Sequence, residues 1–191
     1  MKITAVILAG GKNLRMKGKD KAFLVIDKKP IIERQLAALR KNFKEILIVT
    51  NSPSKYRKFK VRTVGDSIKG IGPLGGIYTG LKTINTEAAF FIACDMPFLH
   101  NDIIKRQLNF FNRKELNCLV VYCGSIQPLH SIYTKEMLFS ISRSIAKEQL
   151  SIKKFLNSYR DKKVIRFPMR YKKCFLNVNT PQELRNLNAE S

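Results

Sequence analysis

A chain of 191 residues with 45% apolar side chains has enough material for one α/β domain with a full core, which excludes a disordered segment. Its 36 Lys and Arg against 14 Asp and Glu leave a formal charge of +22, a field that attracts polyanions without choosing among them. No apolar stretch approaches ~18 residues, so no membrane span is expected, and Lys12, Arg15 and Lys17 follow the short apolar start too soon for a signal peptide. Cys94, Cys118, Cys123 and Cys174 form no CxxC and no metal-ligand spacing, and three of them sit in or beside apolar runs. They read as reduced thiols packed like small hydrophobes, which points to a soluble cytoplasmic chain with no membrane partner.

Ile3 to Leu8 is a continuous apolar run closed by Gly10-Gly11, the pattern of a strand buried on both faces. Pro30 opens a helix in which Ile31, Ile32, Gln35, Leu36 and Leu39 recur at helical spacing. Glu45 to Thr50 is a second apolar strand, ended by Asn51-Ser52-Pro53, and Val61 to Val64 a short third one, ended by Gly65-Asp66. A loop from Ser67 to Pro73 leads into a helix carrying Leu74, Ile77, Tyr78 and Leu81. Ala88 to Cys94 is the strongest strand, stopped by Asp95-Met96-Pro97. Ile103, Ile104, Leu108 and Phe111 give another helical stripe, and Leu119 to Tyr122 another strand. Helical periodicity then runs from Thr134 to Leu156, a weaker strand covers Val164 to Phe167, and Thr180-Pro181-Gln182-Glu183 starts a last helix as a capping box.

Strands alternating with helices predict a single domain over residues 1–191, a mostly parallel sheet with helices on both faces. In such sheets ligands bind beyond the carboxyl ends of the strands. Gly10-Gly11, Asn51, Asp66 and Asp95 each follow one of four successive strands, so parallel strands would bring them to one rim.

Each motif on that rim has a functional reading and a plainer one. Paired glycines after a strand let backbone N–H groups approach phosphate oxygens, or simply make a turn. The segment is no dinucleotide fingerprint, since G-x-G-x-x-G is absent, and no P-loop, since Gly11 and Gly18 are too far apart and Asp20 follows Lys19. Arg15 and Lys21 add a fork and a point charge that can clamp a triphosphate from two directions. A carboxylate such as Asp95 at the end of a buried strand needs satisfying, by a cation held with substrate phosphates or by the next turn. Asp66 is a second acid, better suited to accept hydrogen bonds from a nucleotide than to bind metal. The glycines from Gly70 to Gly76 either admit a ligand to a helix N-terminus or allow tight helix–sheet packing.

Together, Leu8-Ala9-Gly10-Gly11, Arg15-Met16, Asp20-Lys21, Asp66, Gly72-Pro73-Leu74-Gly75-Gly76-Ile77, Cys94-Asp95-Met96-Pro97 and Asn177-Val178-Asn179-Thr180-Pro181 resemble the molybdenum cofactor guanylyltransferases, the MobA family, over nearly the whole chain. The resemblance implies a Rossmann-like fold of the nucleotide-diphospho-sugar transferase type and Mg²⁺-dependent transfer of GMP from GTP to molybdopterin. By motif position, Leu8, Ala9, Gly10, Gly11, Lys21, Asp66 and Asp95 would contact GTP. Arg15, Lys21 and Asp95 would be catalytic, Asp95 would hold Mg²⁺, and Asn177 and Asn179 would lie near molybdopterin. An apo-molybdoenzyme or another cofactor-biosynthesis protein would be the protein partner. One departure is Lys17, standing where the family usually has a small residue after Arg15-Met16.

His100 and His130 are the available acid–base groups, His130 being the one placed to reach a second substrate, though a lone histidine is more often structural. An already ionised phosphate as attacking group needs no general base. Few residues decide the base, so cytidylyl transfer, or transfer to another phosphorylated acceptor, stays open at this stage, as does nucleotide binding without turnover. Nucleic-acid binding is suggested by charge alone, but the cations are scattered rather than clustered with aromatics, and nucleic acid is not an expected partner.

Overall fold

The computed structural model describes residues 2–10, 20–68, 70–112 and 116–189. Gly11 and Arg15, with Lys12, Lys17 and Gly18, lie outside the described residues.

A seven-stranded sheet runs in the order β5 (Arg62–Val64), β4 (Ile46–Val49), β1 (Ile3–Leu8), β6 (Ala88–Ala93), β8 (Ser125–Thr134), β7 (Cys118–Cys123), β9 (Lys163–Arg166). The first four are parallel to one another and β7 is parallel to β9, so the sheet is mostly parallel, as expected. The exception is β8, a ten-residue strand antiparallel to both neighbours, which the hydrophobic pattern did not suggest.

Strands that are apolar throughout are buried on both faces, and alternate residues feed opposite cores. Ala5, Ile7, Phe90, Ile92, Leu119 and Val121 join one core with Leu36 and Leu39 of α1 (Ile31–Leu39) and Ile103, Ile104 and Phe111 of α3 (Asn101–Asn112). Val6, Phe91, Val49 and Val120 join the other with α2 (Pro73–Thr83), α4 (Leu138–Ala146) and α5 (Ile152–Ser158). Helix α2 can lie this close to the sheet because of its glycines: a Cβ on Gly80 would sit 2.7 Å from Phe91 Cε1, and one on Gly76 3.1 Å from Leu8 Cδ2. Of the glycines from Gly70 to Gly76, Gly76 is the one packed on the sheet, whereas a Cβ on Gly70 or Gly72 would meet nothing within 4 Å.

The helical stretch read from Thr134 to Leu156 is interrupted. A short 3₁₀ turn (Lys135–Met137) and α4 end at Lys147, Glu148 turns the backbone at φ 55°, and Ser151 caps the start of α5. The final helix α6 (Pro181–Ala189) has its capping box: Thr180 Oγ1 accepts from Glu183 N–H (3.2 Å), while Glu183 Oε2 accepts from Thr180 N–H (3.1 Å). A third, smaller core of Leu24, Ile26, Ile31, Val178 and Leu187 joins α6 to the two-stranded hairpin β2 (Val25–Ile26) and β3 (Lys29–Pro30). Among the described residues no helix is long and apolar enough to cross a membrane.

Candidate active site

Strand register sets the site. Val64 pairs with Val49, Val49 with Leu8 and Leu8 with Ala93, one row across β5, β4, β1 and β6. Two residues beyond that row, on parallel strands, stand Asp66, Asn51, Gly10 and Asp95. The links continue past the strand ends: Thr50 N–H donates to Val64 O (2.8 Å), Ala9 N–H to Val49 O (2.8 Å) and Cys94 N–H to Leu8 O (3.1 Å). The four features do share one rim.

On the β5–β4–β1 side, Asn51 Oδ1 accepts from Asp66 N–H (3.2 Å), and Asp66 Oδ1 accepts from Ile68 N–H (3.2 Å) and Thr79 Oγ1 (3.1 Å). A Cβ on Gly10 would lie 4.0 Å from both Asn51 Nδ2 and Asp66 Oδ2, ordinary contact distance. The protein itself would tolerate a side chain there. What the missing side chain leaves open is the space between an amide and a carboxylate, where a ligand can come close. Leu8 turns its side chain toward α2, and Leu8 O and Ala9 N–H are used within the sheet, so among the described residues of this turn Gly10 is the one that opens on the rim.

On the β6 side a second group assembles. Lys21 opens a short 3₁₀ turn (Lys21–Phe23), where Asp20 Oδ1 accepts from Ala22 N–H (3.2 Å). Lys21 Nζ donates to Asp95 Oδ2 (2.9 Å) and to Asn179 Oδ1 (2.6 Å), joining three segments far apart in the chain. Asp95 is 7% exposed, and its backbone O accepts from Val178 N–H (2.9 Å), which seats the Asn177–Asn179 segment. The turn bearing Asp95 is braced from below: Gln35, fully buried on α1, donates from Nε2 to Ala93 O (2.7 Å) and Met96 O (2.9 Å). Gln35 was not a candidate from sequence; the available signal was an amide on the apolar stripe of a helix.

Asp95 Oδ1 is buried and has no hydrogen-bond partner among the described residues. Leaving a buried acceptor unpaired costs roughly 1–3 kcal/mol, more for a charged one, and a hard divalent cation is the kind of partner that carboxylate oxygen suits. Among the described residues no three His, Cys, Asp or Glu converge on a common point. A cation here would thus depend on Asp95 together with oxygens of a ligand, which is how Mg²⁺ commonly binds with phosphates.

Asn177 faces elsewhere. With Met96, Gln127, Leu129, Ile152 and Lys153 it lines a cleft of about 230 Å³ directly beside the Asp95 turn. Gln127 and Lys153 are additions that sequence motifs did not single out for this place. His130 is not among the lining residues. It is fully buried on β8, with Nδ1 3.0 Å from Gln107 Nε2 and its ring edge-on to Phe90 and Phe175, and burial pushes its pKa down to about 4. His130 is a core residue, and its possible reach to a second substrate is withdrawn. His100 lies on the surface, 3.8 Å from Asp102.

With this geometry in view, the chain matches the family model of the MobA-like NTP transferase domain over residues 5–164. It is 33% identical over 192 residues to a probable molybdenum cofactor guanylyltransferase of Peptoclostridium acidaminophilum, covering 95% of this chain and 86% of that one. It is 34% identical over 188 residues to a molybdenum cofactor guanylyltransferase of Syntrophotalea carbinolica, covering 94% and 88%. Among solved structures, molybdopterin-guanine dinucleotide biosynthesis protein A of Archaeoglobus fulgidus has the same fold, with a TM-score of 0.79 over 98% of each chain at 21% identity. The matched region takes in the whole strand row with Lys21 and Asp95, and the chain belongs to the MobA-like NTP transferase family.

Proposed function

We propose that this chain transfers the GMP moiety of GTP to molybdopterin and releases pyrophosphate, the activity named for its relatives in Peptoclostridium acidaminophilum and Syntrophotalea carbinolica. The observation that carries this reading is the meeting of Lys21, Asp95 and Asn179 between two open regions, the Gly10–Asn51–Asp66 rim and the Asn177 cleft.

In this reading the nucleoside lies along Gly10, Asn51 and Asp66, and its triphosphate runs toward Lys21. Molybdopterin occupies the neighbouring cleft, whose apolar floor suits a flat heterocycle and whose amides Gln127 and Asn177 suit its hydrogen-bonding edge, with Lys153 facing its anionic end. An oxygen of its terminal phosphate bonds to the α-phosphorus of GTP while the bond from that phosphorus to the bridging oxygen of pyrophosphate breaks. The electron pair of the broken bond leaves with pyrophosphate. Because the attacking oxygen is ionised, no side chain has to remove a proton.

The protein's work is then to position two anions and offset their repulsion. A largely buried ion pair such as Lys21–Asp95 adds little net stability, so its value lies in a cation kept ready where phosphates arrive. Asp95 would also hold Mg²⁺, which when bound neutralises charge developing on the phosphates. The reading places the enzyme in the cytoplasm, in keeping with four cysteines that form no disulfide.

Calorimetric titration tests the nucleotide half of this proposal. GTP with Mg²⁺ should bind tighter than CTP or ATP, and molybdopterin guanine dinucleotide should form from GTP. Equal or inverted affinities would overturn the guanylyl assignment while leaving the family untouched.

A further inference from the structure

The four parallel strands have a second end, opposite the rim just described. There the starts of β1, β4 and β5, with Ile84 and Asn85 before β6, enclose a cavity of about 400 Å³. Among the described residues Arg40, Lys44, Lys60 and Arg62 all line it, and Glu45 is the one carboxylate that does. These cations come as two pairs from separate stretches of chain, Arg40 and Lys44 from the end of α1 and the loop into β4, Lys60 and Arg62 from the turn after the 3₁₀ segment Pro53–Phe59 and the first residue of β5. Cations spread along one solvated helix face need no explanation, but two pairs from separate stretches facing one concavity do, because like charges brought together repel.

Glu45 offsets only part of that repulsion. Among the described residues none of the four cations has an ion-pair partner, and Glu45 accepts instead from Thr4 Oγ1 (3.3 Å). Two further details show the cluster is built in. Arg40 Nη2 donates to Phe59 O (2.9 Å), which pins the turn over the cavity. Lys60 sits on that turn at φ 53° and ψ 42°, a left-handed conformation that glycine adopts freely and a side chain adopts only at a cost.

We propose that this cavity is a second anion site, separate from the nucleotide rim, which takes a small compound carrying two or more linked phosphates. Its volume falls in the range of small-ligand pockets, and guanidinium forks beside ammonium point charges are suited to phosphate oxygens. The proposal does not depend on the transferase reading, since it uses none of the residues on the other rim.

Inorganic tripolyphosphate is the probe, titrated into the full chain at about 150 mM KCl, where diffuse surface attraction is largely screened. Amide NMR signals report where it binds. The expected result is saturable shifts at Lys44, Lys60 and Arg62, resolved from any shifts at Gly10 and Lys21 on the opposite rim. Lys44→Gln/Arg62→Gln should weaken binding at this end by about tenfold or more, the scale of two lost charge-assisted contacts, and leave the opposite rim unchanged. Lys60→Gly should weaken it several-fold while the melting temperature stays level or rises, a combination that damage to the fold cannot produce. Lys105→Gln/Lys163→Gln removes the same charge from elsewhere on the surface and should leave the affinity within about twofold. The proposal is overturned if shifts are confined to Gly10 and Lys21, or if the control pair weakens binding as much as the cavity pair. It also falls if single-stranded RNA displaces the probe from this end at the same salt, which would make the surface one for nucleic acid.

Discussion

The half of the sheet proposed to serve the nucleotide and the half proposed to serve the acceptor are put together differently. In the first, β5, β4, β1 and β6 run parallel in one register, and a single offset of two residues places Asp66, Asn51, Gly10 and Asp95. In the second, β8 runs against both its neighbours, and Asn177, Gln127 and Lys153 reach their cleft from three distant segments. Register places residues through main-chain bonds that tolerate side-chain change. The proposed acceptor cleft depends on particular packing and is the half open to re-specification.

The largest effect should come where the halves meet. Asp95→Asn keeps the shape and one acceptor oxygen but removes the charge. GMP transfer is expected to fall by about two orders of magnitude or more, since the proposed metal-holding role is worth several kcal/mol, with circular dichroism unchanged and the melting temperature lowered by only a few degrees as Lys21 loses its charge partner. A folded variant with near-normal transfer would remove Asp95 from the chemistry and turn attention to Asp66.

Acid should separate the halves next. His130 on β8 is neutral in the fold, with its pKa pushed down to about 4 from the ordinary 6.5, so between those values the unfolded chain binds a proton that the folded one does not. Its contribution is intact above the upper value and is lost as pH falls toward the lower one, by about 3 kcal/mol. Urea midpoints measured from pH 7 to pH 4.5 should fall more steeply for the wild type than for His130→Asn, and amide exchange should rise on β8 before β1. Parallel slopes would mean that carboxylates alone govern acid sensitivity.

Two glycines sharpen the register argument at a smaller scale. Gly80→Ala forces a Cβ to within 2.7 Å of Phe91 and should cost about 1–3 kcal/mol of stability without changing GTP affinity. Gly10→Ala meets nothing closer than 4.0 Å and should keep its melting temperature while GTP affinity falls about tenfold. The smallest effects should divide cleanly between substrates. Gln127→Ala should raise the KM for molybdopterin several-fold and leave GTP binding alone, and Asn51→Ala should do the reverse, each on the scale of one hydrogen bond, about 1 kcal/mol.

What was legible in the sequence follows the same division. Continuous apolar runs ending in Gly10, Asn51, Asp66 and Asp95 announced parallel strands with a common rim, and the capping box at Thr180 announced α6. Strand β8 was not legible, because Pro128 interrupts it and a proline argues against an interior strand. The structure accommodates it where the β7–β8 ladder is irregular, between the Leu119–Ile132 and Val121–Gln127 pairs. There Ser131 Oγ donates to Gln127 O (2.7 Å) and Tyr133 Oη to Pro128 O (2.7 Å), in place of ladder bonds. Gln35 was read only as one position in an amphipathic stripe, since its use depends on carbonyls 58 and 61 residues away. The contact of Asn179 with Lys21 had no local signal either.

That contact bridges 158 positions of the chain, and the Val178–Asp95 bond beside it closes a loop of similar kind. During synthesis the strand row, complete by Ala93, precedes Asn179 by more than eighty residues, so a growing chain has the proposed surface for nucleotide before it has the asparagine that joins Lys21. A chain truncated before Val178 should be a folded binder of nucleotide that cannot pass it on.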